Sequence, residues 1–145
     1  MKLSCFLIPG ILATMTLWSC SKSNGGKPQL SIASINNPIH QNEGLEVNLK
    51  FSKGSNLSNG TLLVIRTRVN QKAPVNTVGK DTNTYIIPEF AADKGEMEFQ
   101  QPYQGFLHFD DDANDTLVFR FAVLSKDNKQ SSDTVTSSKI VVLSQ

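Results

Sequence analysis

Four apolar side chains, Leu45, Val47, Leu49 and Phe51, alternate without a fault with Glu46, Asn48 and Lys50. Successive side chains of an extended chain point to opposite faces, so this period of two marks a strand with one dry and one wet side. The same pattern recurs between turn-forming clusters. Leu30, Ile32 and Ile35 precede Asn36-Asn37-Pro38, and Thr61 to Val69 is a β-branched run. Pro74 to Val78 is a weaker segment, and Tyr85-Ile86-Ile87 is a short strand stopped by Pro88. Glu96 to Gln100 interleaves carboxylates with Met97 and Phe99, and Phe106 to Phe109 is apolar apart from His108. Thr116 to Ser125 is the most apolar run, and Asp133 to Leu143 supplies a last strand. Ser52 to Gly60, Gly79-Lys80-Asp81, Asp93-Lys94-Gly95, Asp110 to Asp115 and Lys126 to Lys129 read as loops and turns. No ten-residue stretch beyond Pro28 sustains a 3.6-residue apolar period, so no helix is expected. The sequence predicts an all-β domain over 29–145: about seven to eight short antiparallel strands, long enough for one core, arranged as a β-sandwich.

Ahead of this domain stands Lys2, then an uncharged run from Leu3 to Ser19, then the polar stretch Ser21 to Pro28. A short positive end, an apolar middle and a small residue before the cut form the layout of a secretory signal peptide. Spanning a bilayer takes about 20 apolar residues, and this run is shorter and interrupted by Pro9, Gly10, Thr14 and Thr16. At its end, Leu17-Trp18-Ser19-Cys20 resembles the lipobox of bacterial lipoproteins. The resemblance implies that residues 1–19 are removed and that Cys20 becomes a diacylglycerol-linked N-terminus. Residues 20–28 are then the lipidated cysteine and a flexible Gly/Ser/Asn-rich linker. Each buried methylene contributes about 0.8 kcal/mol, so two or more acyl chains hold firmly. Ser21 in place of an aspartate resembles the outer-membrane default, and Lys22-Ser23-Asn24 carries none of the acidic residues of a surface-export tag. A periplasm-facing outer-membrane protein is expected, with the cell surface as the alternative.

Without Lys2 the chain has thirteen basic and thirteen acidic residues. A neutral body carries no field that gathers nucleic acid or anionic lipid, so nucleic acid is not an expected partner. Cys5 leaves with the signal and Cys20 is taken by the anchor, which leaves no thiol in the folded part. Disulfide frameworks, cysteine-ligated zinc and cysteine nucleophiles are excluded there.

The last hairpin runs from Asp115-Thr116-Leu117-Val118-Phe119-Arg120-Phe121 through Lys126-Asp127-Asn128-Lys129 to Ile140-Val141-Val142-Leu143. It resembles the closing F and G strands of immunoglobulin-like and fibronectin-type modules of bacterial lipoproteins. The implied architecture is a single immunoglobulin-like antiparallel sandwich. The antibody hallmarks are missing, since the only tryptophan is Trp18 in the signal and no cysteine pair exists.

Catalysis finds little support in this sequence. His40 lies in a Pro-Ile-His-Gln-Asn loop and His108 in a strand-like run, neither beside a nucleophile or a second metal ligand. No Gly-rich phosphate loop, metalloprotease helix or nucleophile elbow occurs. Glu96 and Glu98 are more simply the wet face of their strand. No cofactor is expected, with one candidate exception. Asp110, Asp111, Asp112, Asn114 and Asp115 offer the carboxylate and amide oxygens that Ca2+ prefers. Asp112-Ala113-Asn114-Asp115 is also similar to the inter-domain calcium linker of cadherins, although there the motif ends a domain. The bland alternative is a solvated acidic loop held by local hydrogen bonds.

Two further candidates concern surfaces. With Phe119, Phe121 and Val123 inward, Val118, Arg120, Ala122 and Leu124 point outward. With Leu63, Ile65 and Val69 inward, Leu62, Val64, Arg66 and Arg68 point outward. The two strands are neighbours in an immunoglobulin-like sheet, so Leu62, Val64, Arg66, Arg68, Val118, Arg120 and Leu124 form a candidate protein interface, an aliphatic patch flanked by arginines. The alternative is scattered, tolerated β-branched residues. Tyr85, Tyr103 and Phe106 are candidates for stacking on a glycan, against the commoner alternative of aromatic core. The expected function is a lipid-anchored, non-enzymatic binding or assembly module of the bacterial envelope. Its expected partners are the membrane, through Cys20, and another envelope protein or a glycan. A glycan-binding accessory lipoprotein is the alternative, and an enzyme is the third reading.

Overall fold

The computed structural model describes residues 26–54, 57–69, 80–107 and 114–144. The signal, Cys20, Pro74 to Val78, His108 and Asp110 to Asp112 lie outside the described residues. Among the described residues eight strands follow one another: β1 Gln29–Ile35, β2 Leu45–Ser52, β3 Thr61–Arg68, β4 Lys80–Ile86, β5 Lys94–Gln101, β6 Asp115–Leu124, β7 Val135–Thr136 and β8 Ile140–Val142. They form two antiparallel sheets. One is ordered β1-β2-β5; the other is ordered β4-β3-β6, with β7 and β8 pairing successive parts of β6. In strand letters this is A-B-E against C′-C-F-G, the immunoglobulin-like arrangement that the last hairpin implied.

The alternation in β2 sets the first sheet. Leu45, Val47 and Leu49 are fully buried, and Phe51 is nearly so. Opposite them in register on β5, Phe99 pairs Val47 and Met97 pairs Leu49. Phe99 reaches across to the other sheet, its ring 5.1 Å from Tyr85 and 5.8 Å from Phe121, both edge-on. Phe119, Phe121, Leu117 and Val123 of β6 are fully buried, as their phase predicted. Each such side chain removed from water contributes roughly 1.5–3 kcal/mol, so this two-sided apolar layer is what binds the sheets.

Three departures from the sequence reading have local causes. The expected strand Asp133 to Leu143 is broken into β7 and β8, because its pairing with β6 slips. Leu124 faces Ser131, Phe121 faces Val135, and Leu117 faces Ile140, so an extra residue enters the last strand twice. Ser132 Oγ accepts the Val123 amide and Ser137 Oγ accepts the Phe119 amide, each at 3.0 Å, replacing ladder carbonyls beside the slips. Lys80 and Asp81 begin β4 rather than turning the chain. Tyr103 to Leu107 forms a tight coil in which Gln104 (φ −73°, ψ 132°) and Gly105 (φ 78°, ψ −11°) are not helical. Those angles describe a type II turn, whose third position needs a positive φ and hence glycine.

Past Asn36-Asn37-Pro38 the chain crosses between sheets. Ile39, fully buried, donates its amide to Val141 O and accepts from Leu143 N, each at 2.9 Å, in a parallel bridge to the last strand. At the opposite end, Gly60 lets β3 start against β6. A Cβ there would lie 2.4 Å from Leu124 O.

Candidate interaction surface

The registers of β4, β3 and β6 determine which side chains share a face. Arg66 lies opposite Asp81 on one side and Phe119 on the other, and Val64 lies opposite Phe121. Since Phe119 and Phe121 are core, Leu62, Val64, Arg66 and Arg68 also point inward. Leu62 is 5% exposed and Val64 is fully buried. The expected outward placement of these four is therefore overturned, as is the inward placement of Leu63 and Ile65. Val69, also expected inward, follows β3 and is exposed. The arginines are inward because each finds an anion there. Arg66 donates from Nε to Asp81 Oδ1 at 3.0 Å and from Nη2 to Asp81 Oδ2 at 2.6 Å, and its Cζ lies 4.9 Å from the Phe106 ring centre. Arg68 Nε meets the Asp115 carboxylate at 2.5 Å. A guanidinium at the end of a core is tolerated when paired, and its stem packs as an apolar group.

The outer face is consequently made of the other set. In successive rows it carries Ile86, Thr61 and Leu124; Thr84, Leu63 and Ala122; Thr82, Ile65 and Arg120; and Lys80, Thr67 and Val118. Val118, Arg120 and Leu124 stand on this face as expected. Leu63, Ile65, Val118 and Leu124 are half-buried, whereas Ile86 is 82% exposed. Threonine and aliphatic side chains dominate the strip, Lys80 and Arg120 are its only charges, and no carboxylate belongs to these rows. Leu63 and Ile65 escaped the sequence reading because Leu62 to Ile65 is apolar in both phases. Ile86 escaped because its strand has polar Asp81 and Asn83 on the inner side.

The calcium candidate is divided by the structure. Asp110, Asp111 and Asp112 lie outside the described residues. Asn114 Oδ1 accepts the Ser144 amide at 3.0 Å, and Asp115 is fully buried with its carboxylate on Arg68. Asp115 thus starts a core strand and is no solvated loop ligand.

The aromatic candidates do not form a stacking platform. Tyr103 is 4% exposed and donates its hydroxyl to Leu143 O at 2.5 Å. Burial raises its pKa above the usual phenol value, and the Asp115 charge adds to this. Tyr85 packs on Phe99, and burial followed by Asp81 raises its pKa, against the opposing pull of Arg66. Phe106 stacks over Phe119 at 6.5 Å and 15° beneath the Arg66 guanidinium. Tyr103 belongs to the core, and Tyr85 and Phe106 are half-buried and packed against it. His40 is exposed, and its carbonyl accepts the Glu43 amide at 2.9 Å.

The described surface also carries shallow clefts. One of about 410 Å³ is lined by Leu30, Lys50, Phe51 and Asp133 among others. The second, of about 240 Å³, opens between the edges of β4 and β5 over Tyr85, Ile87, Met97 and Phe99, with Ile86 and Pro88 at its rim.

No protein-family model matches this chain, and no curated relative matches it. Among solved structures it is similar to a β-glucosidase from Listeria innocua in complex with gluconolactone, at 14% identity and a TM-score of 0.45. The same enzyme in complex with glucose gives 13% identity and a TM-score of 0.39. In both, the match covers 81% of this chain and 16% of the enzyme's length.

Proposed function

We propose that the chain is a lipid-anchored envelope protein, held at the outer membrane through Cys20, whose sandwich acts as a non-enzymatic binding or assembly module. The observation that supports this reading is the outer face of β4, β3 and β6: an aliphatic and threonine strip with two cations and no anion, on a sheet whose opposite side already fills the core. Contiguous apolar surface of this kind marks a protein contact more often than scattered exposed residues do. The contact surface is Leu63, Ile65, Val118, Arg120 and Leu124, and its partner is another protein of the envelope.

Two measurements test the proposal. A fatty-acid probe fed to cells should label the wild-type chain and leave Cys20→Ser unlabelled and free of the membrane. Cross-linking in whole cells, followed by capture in detergent, should recover a partner that Leu63→Glu plus Val118→Glu loses. An unlabelled wild type removes the anchor, and an unchanged cross-linking pattern removes the interface.

A further inference from the structure

Ile86 stands apart from the rest of the outer face. It is 82% exposed, beside exposed Pro88, at the corner where β4 ends. The chain enters the domain at the same end of the sandwich, by the β1 and β7 edge across the sheets from β4. Gln29 pairs Ser52 and Ser52 pairs Lys94 in one sheet; Thr61 pairs both Ile86 and Leu124 in the other. The two ends coincide, because Lys27 pairs Asp133 just before β7, and Phe90, in the link from β4 to β5, meets Phe51 at 5.0 Å. Only five residues separate Cys20 from Gly26, and the six steps span at most about 22 Å when fully extended.

We infer that the Ile86 corner rests in the interfacial layer of the lipid bilayer to which the chain is anchored. This inference deepens the proposed anchoring at Cys20 and rests on it. The neutral body has no long-range pull toward lipid, and it needs none, because a short tether holds the corner at high effective concentration against the surface. Ile86 and Pro88 supply the apolar contact. Lys126 and Lys129, in the turn after Leu124, are exposed and have stems long enough to keep their ammonium groups among the headgroups. Lys129 also sits 3.5 Å from Asp127, which offsets that carboxylate at the surface. Seating this corner stands the sheet away from the bilayer and leaves Ile65, Val118 and Arg120 open to a partner.

The test uses the full lipidated chain reconstituted in vesicles of phosphatidylethanolamine and phosphatidylglycerol. With Cys5 removed and the Cys20 sulfur taken up by the lipid, the mature chain has no free thiol, so Ile86→Cys and His40→Cys each give one site for an environment-sensitive fluorophore. Both positions are exposed, and His40 lies at the other end of the sandwich, next to the Ile39–Val142 bridge. The expected result is a blue shift and quenching by spin-labelled phospholipid at position 86, with neither at position 40. A chain that floats with the vesicles but shows position 86 as wet as position 40 overturns the docking and leaves the anchor standing. A chain that fails to float overturns both. Protection of position 86 in native envelopes but not in pure lipid overturns the lipid assignment and identifies a protein as the occupant.

Discussion

Arg66 and Asp81 face one another across β3 and β4, joined by two hydrogen bonds of 3.0 and 2.6 Å, while the guanidinium carbon stands 4.9 Å over the Phe106 ring centre. One turn of register away, Arg68 meets Asp115, whose side chain has no access to water. The two pairs differ in what surrounds the carboxylate. Asp81 is 37% exposed and Asp115 is not exposed at all. Asp81→Ala should therefore cost about 1–3 kcal/mol, the loss of charged hydrogen bonds partly replaced by water. Arg68→Ala should cost about 3–5 kcal/mol, because it withdraws the guanidinium from a carboxylate sealed in the core. Urea melts of the two variants check the order, and equal losses would contradict the burial assigned to Asp115.

The phase of β3 gives a second expectation. Val64→Glu places a charge in the fully buried row beside Phe121, and the domain should not fold. Ile65→Glu, one residue on, enters the outer face beside Arg120 and should change stability by no more than about 0.5 kcal/mol. Circular dichroism melts of the two proteins decide it, and the reverse outcome would restore the outward placement of Val64.

Which parts of this structure the sequence reveals follows from where polarity breaks a tie. β2 was legible because Glu46, Asn48 and Lys50 mark one face without exception. β6 was legible because only one phase buries Phe119 and Phe121 together, and this placed Val118, Arg120 and Leu124 on the outer face correctly. In β3, Leu62 to Ile65 is apolar throughout, so Arg66 and Arg68 decided the phase and decided it wrongly. Their partner anions, Asp81 and Asp115, lie 15 and 47 residues farther along the chain, so no short-range pattern announces them. Lys80 and Asp81 read as a turn for the same reason, since an aspartate is at home in a strand there only because Arg66 faces it. Tyr103 and Phe106 looked like loop aromatics, yet the type II turn at Gln104-Gly105 folds them back onto β8 and Phe119.

Ser132 and Ser137 are small hydroxyl residues in a segment that reads as an ordinary strand, and they make its two slips of register affordable. Ser132→Ala should leave the buried Val123 amide without its acceptor, at a cost of about 1–3 kcal/mol. Ser137→Ala should cost less, because Ser137 is half-exposed and water can reach the Phe119 amide. Amide hydrogen exchange reads both directly. Protection at Val123 should fall in the first variant and protection at Phe119 in the second, and a uniform fall across β6 in either would mean that the hydroxyl acts through the whole sheet.

Tyr103 makes the domain sensitive to alkali. Its ordinary value is 10.0, and in the fold burial, aided by Asp115, raises it. A raised acid is bound more tightly to its proton in the folded state, so the unfolded chain loses that proton first as pH climbs. The stabilisation is complete below pH 10 and declines above it, until the folded phenol also ionises. Only Tyr85 and Tyr103 occur in the chain, so phenolate absorbance separates them with one variant. Tyr103→Phe should leave a single phenolate component and flatten the fall in melting temperature above pH 10, while losing at neutral pH the hydrogen bond to Leu143 O. If wild type and Tyr103→Phe instead lose stability in parallel above pH 10, the alkaline sensitivity belongs to Tyr85, the other raised phenol, against Phe99.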